Sequence, residues 1–331
     1  MSKLSVIIPS YNCRHVARTV QDVIEKASGD IEIIVILDNY WPELPIPKHK
    51  NLVIVHKGQT GGMRQSINMG ARIATGEFIM KCDDHCSFSE GFDEALKAHS
   101  ELHTISIPQR YSLDSENWIP IRRSVAYEFA TYPYIYLDRF RYGTGLVAKK
   151  YVGDDGLTVQ NTGFHEYYKK EYALEHIMID EIMIFHGSCW FMPRDHFFSI
   201  DGLNEELFET LYQEPQELSF KTWLSGGRVI INKHCWYAHM FKGPDFGPEL
   251  NARGYRLDLS AMRRTERFGT TYWMNDCWPK ATKPMSWLIE KFWPIPGWPE
   301  NWQEEKVAFE EKYLQAELQK CLEVKNANQK S

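Results

Sequence analysis

Short apolar runs rich in Val and Ile alternate with segments of helical spacing along the first hundred residues, and that alternation leaves few possible folds. "KLSVIIPSYN" is a β-branched run ended by Pro9, Ser10 and Asn12. "RHVARTVQDVIEKASGD" comes next, with Val16, Val20, Val23 and Ile24 on one helical face and Gly29 as the stop. "IEIIVILDNY" is a second run ending at Asp38, and "NLVIVHKG" is a third. "GGMRQSINMGARIAT" reads as a helix opened by a glycine pair, and "GEFIMKCDD" as a fourth strand. Runs with no polar alternation are those of strands covered on both faces. Strands alternating with helices indicate right-handed βαβ units, so the expected fold is α/β, a doubly wound, mostly parallel sheet with helices on both faces. Polar residues gather where the strands end, at Asn12, Asp38, Asp83 and Asp84, the edge at which open α/β sheets bind ligands.

From about Pro108 to Asp180 the periodicity fades into aromatic and charged text. It returns in "MIFHGSCWFMPRDHFFSIDGLNEELFET", a strand, a turn and a helix, and in "PQELSFKTWLSGGRVIINKHCWYAHMF", a helix, a Gly-Gly turn and a strand leading to His239. The chain divides on this basis into a catalytic domain over 1–245 and a C-terminal extension over 246–331. Within the domain, 1–105 is expected to be the nucleotide-binding half, 106–180 a variable insert and 181–245 a second, catalytic half.

The net charge of -6 argues against a general affinity for nucleic acid or acidic membrane. The seven cysteines are scattered with no C-x-x-C pair, and the first residues enter a strand pattern without a secretory leader. A cytoplasmic protein with reduced thiols is expected, with no membrane-spanning segment.

The residues most charged with chemistry are Asp83, Asp84 and His85 in "FIMKCDDHCSF". Residues two apart at a strand end point the same way, so Asp83 and His85 can converge on one ion while Asp84 turns aside. A carboxylate oxygen with an imidazole nitrogen suits Mn²⁺ or a related divalent ion better than Ca²⁺. The alternative is a polar turn in which Ser87, Ser89 and Glu90 open a helix. "GGMRQ" is neither G-x-G-x-x-G nor G-x-x-x-x-G-K-[ST], which weakens a dinucleotide or ATP-hydrolysing reading, although a helix N-terminus there would attract a diphosphate.

Taken in order, "LSVIIPSYN", "EIIVILDN", "GGMRQSINMGARIATGEFIMKCDDHC", "FHGSCWFMPRDHFFSIDGLNEEL", "QEPQELSFKTWLSGGRV" and "CWYAHMFK" resemble a GT-A fold glycosyltransferase. The opening half is similar to the large inverting family 2. The later segments are similar to the retaining polypeptide N-acetylgalactosaminyltransferases. The resemblance implies a metal-dependent transfer from a nucleotide sugar, most often UDP-linked, to a hydroxyl of a glycan or protein. It implies that a D-x-H element, Asp83 and His85, holds Mn²⁺ (or Mg²⁺) together with His239. It places Asp38 on the uridine, Arg64 on the nucleotide sugar, Glu214 facing donor sugar and acceptor, and Lys242 on the diphosphate. Glu217, three residues on from Glu214 along the helix, reads as structural support, and His186 as a further candidate near the pocket.

The chain departs from that pattern in three places. The Trp-Gly-Gly before the acidic residue is Leu-Tyr-Gln here, Gly187 stands alone in "HGSCWF", and neither a lectin-like domain nor a membrane anchor is expected. Sugar, acceptor and stereochemical outcome therefore stay open. Retention would let the leaving diphosphate assist the acceptor, and inversion would need Glu214 as base. Arg122-Arg123, Arg139-Arg141 and Arg263-Arg264-Arg267 keep open a second acceptor, the hydroxymethylated bases of DNA. Readings of another class are a non-catalytic sugar- or nucleotide-binding module and a nucleotide-binding oxidoreductase. The tail "WMNDCWPKATKPMSWLIEKFWPIPGWPENW" reads in three ways: a cover packed on the core, an aromatic platform for sugars or bases, or an interfacial membrane segment.

Overall fold

The computed structural model describes residues 2–123, 127–130, 132–134, 176–208, 213–240, 259–295 and 297–328. The elements run in the order β1 (Leu4–Ser10), α1 (Val16–Lys26), β2 (Ile31–Asp38), β3 (Leu52–Lys57), α2 (Gly62–Ile73), β4 (Phe78–Cys82), β5 (Cys86–Phe88), α3 (Phe92–Lys97), β6 (Thr104–Asp114) and β7 (Ile119–Arg123). Then come β8 (Ile179–Glu181), β9 (Cys189–Pro193), α4 (Arg194–Ser199), α5 (Glu214–Leu224), β10 (Arg228–His239), α6 (Leu259–Met274), α7 (Met285–Lys291), α8 (Trp302–Tyr313) and α9 (Gln315–Asn328).

Among the described residues the strands form one sheet ordered β3-β2-β1-β4-β9-β6-β10-β5, with β7 on β6 and β8 on β10. β1 pairs in parallel with both β2 and β4, so the strand order reverses around β1, and β1 and β4 end on either side of the switch point. β9 runs antiparallel to its neighbours, β10 is parallel to β6, and β5 closes the far edge antiparallel to β10. Every residue of β1 and β2 is buried, which is what their unbroken apolar runs imply.

Alternation along β1 sorts its side chains to two cores. Leu4, Val6 and Ile8 join Val16, Val20 and Val23 of α1 and Phe92 and Leu96 of α3 on one face. Ile7 joins Ile67 and Ala71 of α2, together with Leu218 and Phe220 of α5, on the other. The aromatic tail belongs to this second core: Trp273, Trp278, Trp298 and Trp302 are all buried in it. The indole of Trp298 donates to the Ala130 carbonyl at 2.7 Å. Of the three readings of the tail, these tryptophans take that of a cover. No helix among the described residues is long and apolar enough to cross a membrane.

Two local outcomes differ from the sequence reading. The text from Pro108 holds the continuation of β6 to Asp114, hidden because that strand is buried with Pro108, Gln109 and Arg110 inside it. The residues after His85 form the short strand β5, and α3 begins only at Phe92.

Gly70 of α2 sits against the central strand. A Cβ there would lie 2.4 Å from Cγ2 of the fully buried Ile7. Gly70→Ala would recover about 1 kcal/mol of helix propensity but force overpacking that costs about 1–3 kcal/mol. The expected result is a lower denaturant midpoint with an unchanged slope, measured by urea unfolding.

Candidate active site

Two chain segments far apart in sequence build the centre. β4 delivers Lys81, then Asp83, Asp84 and His85 in the turn beyond it. β5 then pairs antiparallel with β10 in a register that sets His239 opposite Cys86. The Met240 N–H donates to the His85 carbonyl at 3.2 Å and extends that ladder by one step. His239 is thereby forced beside His85, with ring centroids 4.6 Å apart. Oxygen and nitrogen atoms of Asp83, His85 and His239 all lie within 4.8 Å of one another. His239 Nε2 is 3.1 Å and His85 Nε2 4.0 Å from Asp83 Oδ2.

The residue between the two D-x-H partners orients one of them. Asp84 Oδ1 lies 2.7 Å from His85 Nδ1, and its Oδ2 accepts from the Ser10 hydroxyl at 2.6 Å. An ionised carboxylate can only accept, so we assign the His85 proton to Nδ1, which leaves Nε2 turned toward Asp83. This carboxylate–imidazole arrangement is the usual support of a metal-ligating histidine. Two imidazoles and a carboxylate form a donor set suited to a divalent transition ion, so the residues fit such an ion. Cys13, Asp84 and His85 also lie within the same mutual distance. There, however, the Cys13 thiol donates to the Asp84 carbonyl at 3.3 Å and serves the turn.

Lys81 is the residue that the sequence reading missed. It is only 1% exposed, and its ammonium donates to Asp83 Oδ1 at 2.6 Å and to the Gly187 carbonyl, 3.5 Å from Glu214 Oε2. Burial disfavours its charge, but Asp83 and Glu214 outweigh burial and raise its pKa. Burial likewise works against an ionised Asp83, yet Lys81 and then His239 hold that carboxyl well below its usual range. Glu214 goes the other way: burial raises its pKa, and the longer contact with Lys81 and the Trp190 indole, 2.6 Å from Oε1, only partly offset it. Burial lowers the His239 pKa to about 3 against the opposing pull of Asp83, keeping the ring neutral and able to ligate. The signal for Lys81 was present, a lysine inside the apolar run "FIMKC".

Glu214 opens α5 directly after Gln213, whose backbone is left-handed at φ 64°. A non-glycine residue in that conformation marks a loop held in place by its surroundings. Gly187 faces the same carboxyl, and a Cβ on it would come within 3.2 Å of Glu214 Oε2.

Asp38 and Arg64, the residues expected at the nucleotide, are each held by partners of their own. Asp38 accepts from the Gly61 and Gly62 amides at 2.9 Å each and pairs with Lys57 at 2.8 Å, so its carboxylate fixes the glycine turn that opens α2. Gly62 needs that freedom at φ 77°. Arg64 is buried, bonded to Glu217 and set over the Phe208 ring at 5.2 Å. Glu217 also takes Lys221 at 2.7 Å and the Asn204 amide at 2.8 Å. Burial opposes its charge, but Lys221 and Arg64 prevail and lower its pKa. Lys242 lies outside the described residues, as do the side chains of Arg122, Arg123, Arg139, Arg141, Arg263 and Arg264. Arg267 donates to the Tyr313 carbonyl and pairs with Glu317.

The family model described as "Glycosyl transferase family 2" matches residues 5–198. Among solved structures, that of GalNAc-T7 with UDP, GalNAc and Mn²⁺ is similar with a TM-score of 0.58 at 14% identity, covering 95% of this chain and 58% of that one. S. aureus TarS 1–349 in complex with UDP-GlcNAc gives a TM-score of 0.47 at 13% identity, covering 86% of this chain and 69% of that one. The chain thus spans little more than half the length of GalNAc-T7. No curated protein sequence matches it. The sheet is that of a GT-A glycosyltransferase, and since the family match runs from β1 into α4, over more than half of the 331 residues, the chain belongs to glycosyl transferase family 2.

Proposed function

We propose that the protein transfers a hexosyl or N-acetylhexosaminyl group from a UDP-sugar to a hydroxyl of a glycan or protein, with Mn²⁺ or Mg²⁺ held by Asp83, His85 and His239. The observation that carries this reading is the convergence of those three side chains at the switch-point edge of the sheet, with Asp84 orienting His85. The UDP, GalNAc and Mn²⁺ named with the GalNAc-T7 structure support the same ligand class. A divalent ion there supplies charge to offset the departing diphosphate.

The chain's own residues do the rest. Asp38 takes the Gly61 and Gly62 amides and so fixes the glycine turn at the start of α2 beside the nucleotide it is assigned to. Glu217 holds Arg64, leaving its guanidinium as a fixed charge on the donor side, and Lys242 is assigned to the diphosphate. Glu214 lines the wall by Gly187, where a donor sugar would lie, with Oε1 on Trp190 and Oε2 near Lys81. With retention, the bond from the sugar anomeric carbon to the diphosphate breaks, the acceptor oxygen bonds on the same face and its proton leaves on the diphosphate; with inversion, the course of family 2, the oxygen bonds on the opposite face and Glu214 takes the proton. The anomeric configuration of the product by NMR decides between them, an inverted product assigning Glu214 as base. The seven cysteines are all buried and free, in keeping with a cytoplasmic location.

The direct test is incubation with a panel of nucleotide sugars and Mn²⁺ and measurement of released nucleotide. UDP release from at least one UDP-sugar, lost on chelation, is expected. No UDP release from any of them overturns the donor assignment.

A further inference from the structure

Behind the three convergent side chains a line of buried polar groups ends on His186. Arg110 is paired with Glu128 at 2.7 Å and hydrogen-bonded to Tyr237. The Tyr237 hydroxyl lies 2.7 Å from Ser188 Oγ, which lies 2.8 Å from His186 Nδ1. The backbone N–H of Ser188 also donates to His186 Nδ1, at 3.3 Å. Glu128, Arg110, Phe185, His186 and Tyr237 line one small cavity under the sheet edge.

The direction of these bonds is set by what each group can do. A guanidinium only donates, and a backbone N–H cannot accept. Tyr237 takes the Arg110 donor and passes its own O–H to Ser188, whose hydroxyl turns to His186. With the Ser188 amide aimed at the same nitrogen, Nδ1 is the acceptor of the ring, and the His186 proton sits on Nε2. Arg110, Glu128, Tyr237 and Ser188 are each at most 5% exposed, while His186 is half-buried and faces the site. Its ring centroid is 5.7 Å from that of His239, and the next residue, Gly187, abuts Glu214. His186 thus stands between the proposed metal ligands and the wall assigned to the donor sugar.

We infer that His186 binds the donor, its Nε2–H donating a hydrogen bond to an oxygen of the nucleotide sugar beside the metal ligands. This rests on the UDP-sugar reading above. The oxygen belongs to the diphosphate or to a hydroxyl of the sugar, and the choice of ligand separates the two. His186 would then select among sugars, or secure the diphosphate, through a tautomer set by the Ser188 amide at the head of that buried line.

The test is calorimetric titration in Mn²⁺ of wild type, His186→Ala, His186→Gln and His186→Asn with UDP, UDP-glucose, UDP-N-acetylglucosamine and UDP-N-acetylgalactosamine. A glutamine amide reaches the place of Nε2, and an asparagine amide the place of Nδ1. Alanine and asparagine are expected to weaken the bound UDP-sugar about tenfold, with glutamine close to wild type. A loss confined to UDP-sugars assigns the sugar hydroxyl, and an equal loss with UDP assigns the diphosphate. Unchanged affinity in His186→Ala, or rescue by asparagine rather than glutamine, or loss in all three variants, overturns the inference while leaving the donor assignment standing. A wild-type protein that binds neither UDP nor any UDP-sugar overturns both.

Discussion

Lys81→Met is expected to remove donor turnover and to destabilise the fold together. The ammonium lies between Asp83 Oδ1 at 2.6 Å and Glu214 Oε2 at 3.5 Å, and all three groups are largely shielded from solvent. Methionine keeps the volume and the stem but leaves two carboxyl groups facing each other without a cation. Removing one partner of a buried ion pair costs about 3–5 kcal/mol, and the strain is relieved only if a carboxyl binds a proton. Lys81 is the first of the charges that hold Asp83 ionised against burial, with His239 and His85 behind it, whereas Glu214 is already raised by burial and is the carboxyl that takes the proton first. Asp83 also loses the donor that fixes its Oδ1, so stability and Mn²⁺ affinity should fall together, and Mn²⁺ should restore part of the lost stability by mass action. Urea unfolding with and without Mn²⁺, alongside nucleotide release, measures both. Wild-type stability and turnover in Lys81→Met would count against any role for this lysine beyond packing.

The sequence exposed those parts of the structure whose causes are local. β1 and β2 are legible because they are covered on both faces, so "LSVIIPS" and "IEIIVILD" carry few polar residues. Asp38 is legible as a strand-end carboxylate, but not as the group that grips two glycine amides more than twenty positions away. The meeting of His239 with Asp83 depends on the antiparallel pairing of β10 with β5, a strand of three residues. Three residues are too few to show a period, and the stretch after His85 reads equally well as a helix start. β6 was hidden for a related reason. A central strand with Arg110 inside is paid for by a buried partner, Glu128, eighteen positions on. Long-range compensation of this kind leaves no periodic trace.

Asp84 offers the sharpest test of the division of labour in "KCDDHC". It is not one of the three convergent groups, yet both of its oxygens are engaged, by His85 and by Ser10. If His85 ligates through Nε2, removing Asp84 frees the ring to rotate and to place its proton on either nitrogen. Loss of such a supporting carboxylate weakens metal affinity by about 10- to 100-fold. Asp84→Ala is therefore expected to bind Mn²⁺ in that weakened range and to recover turnover at higher Mn²⁺. His85→Ala, which deletes a donor atom, should lose Mn²⁺-dependent turnover and not recover it. Ser10→Ala should fall between wild type and Asp84→Ala, because it removes only the hydroxyl that steadies the carboxylate. The free Mn²⁺ signal in electron paramagnetic resonance gives the affinities directly, without requiring the acceptor to be known. If Asp84→Ala and His85→Ala both bind Mn²⁺ as wild type does, the ion is held elsewhere and the triplet is a polar turn after all.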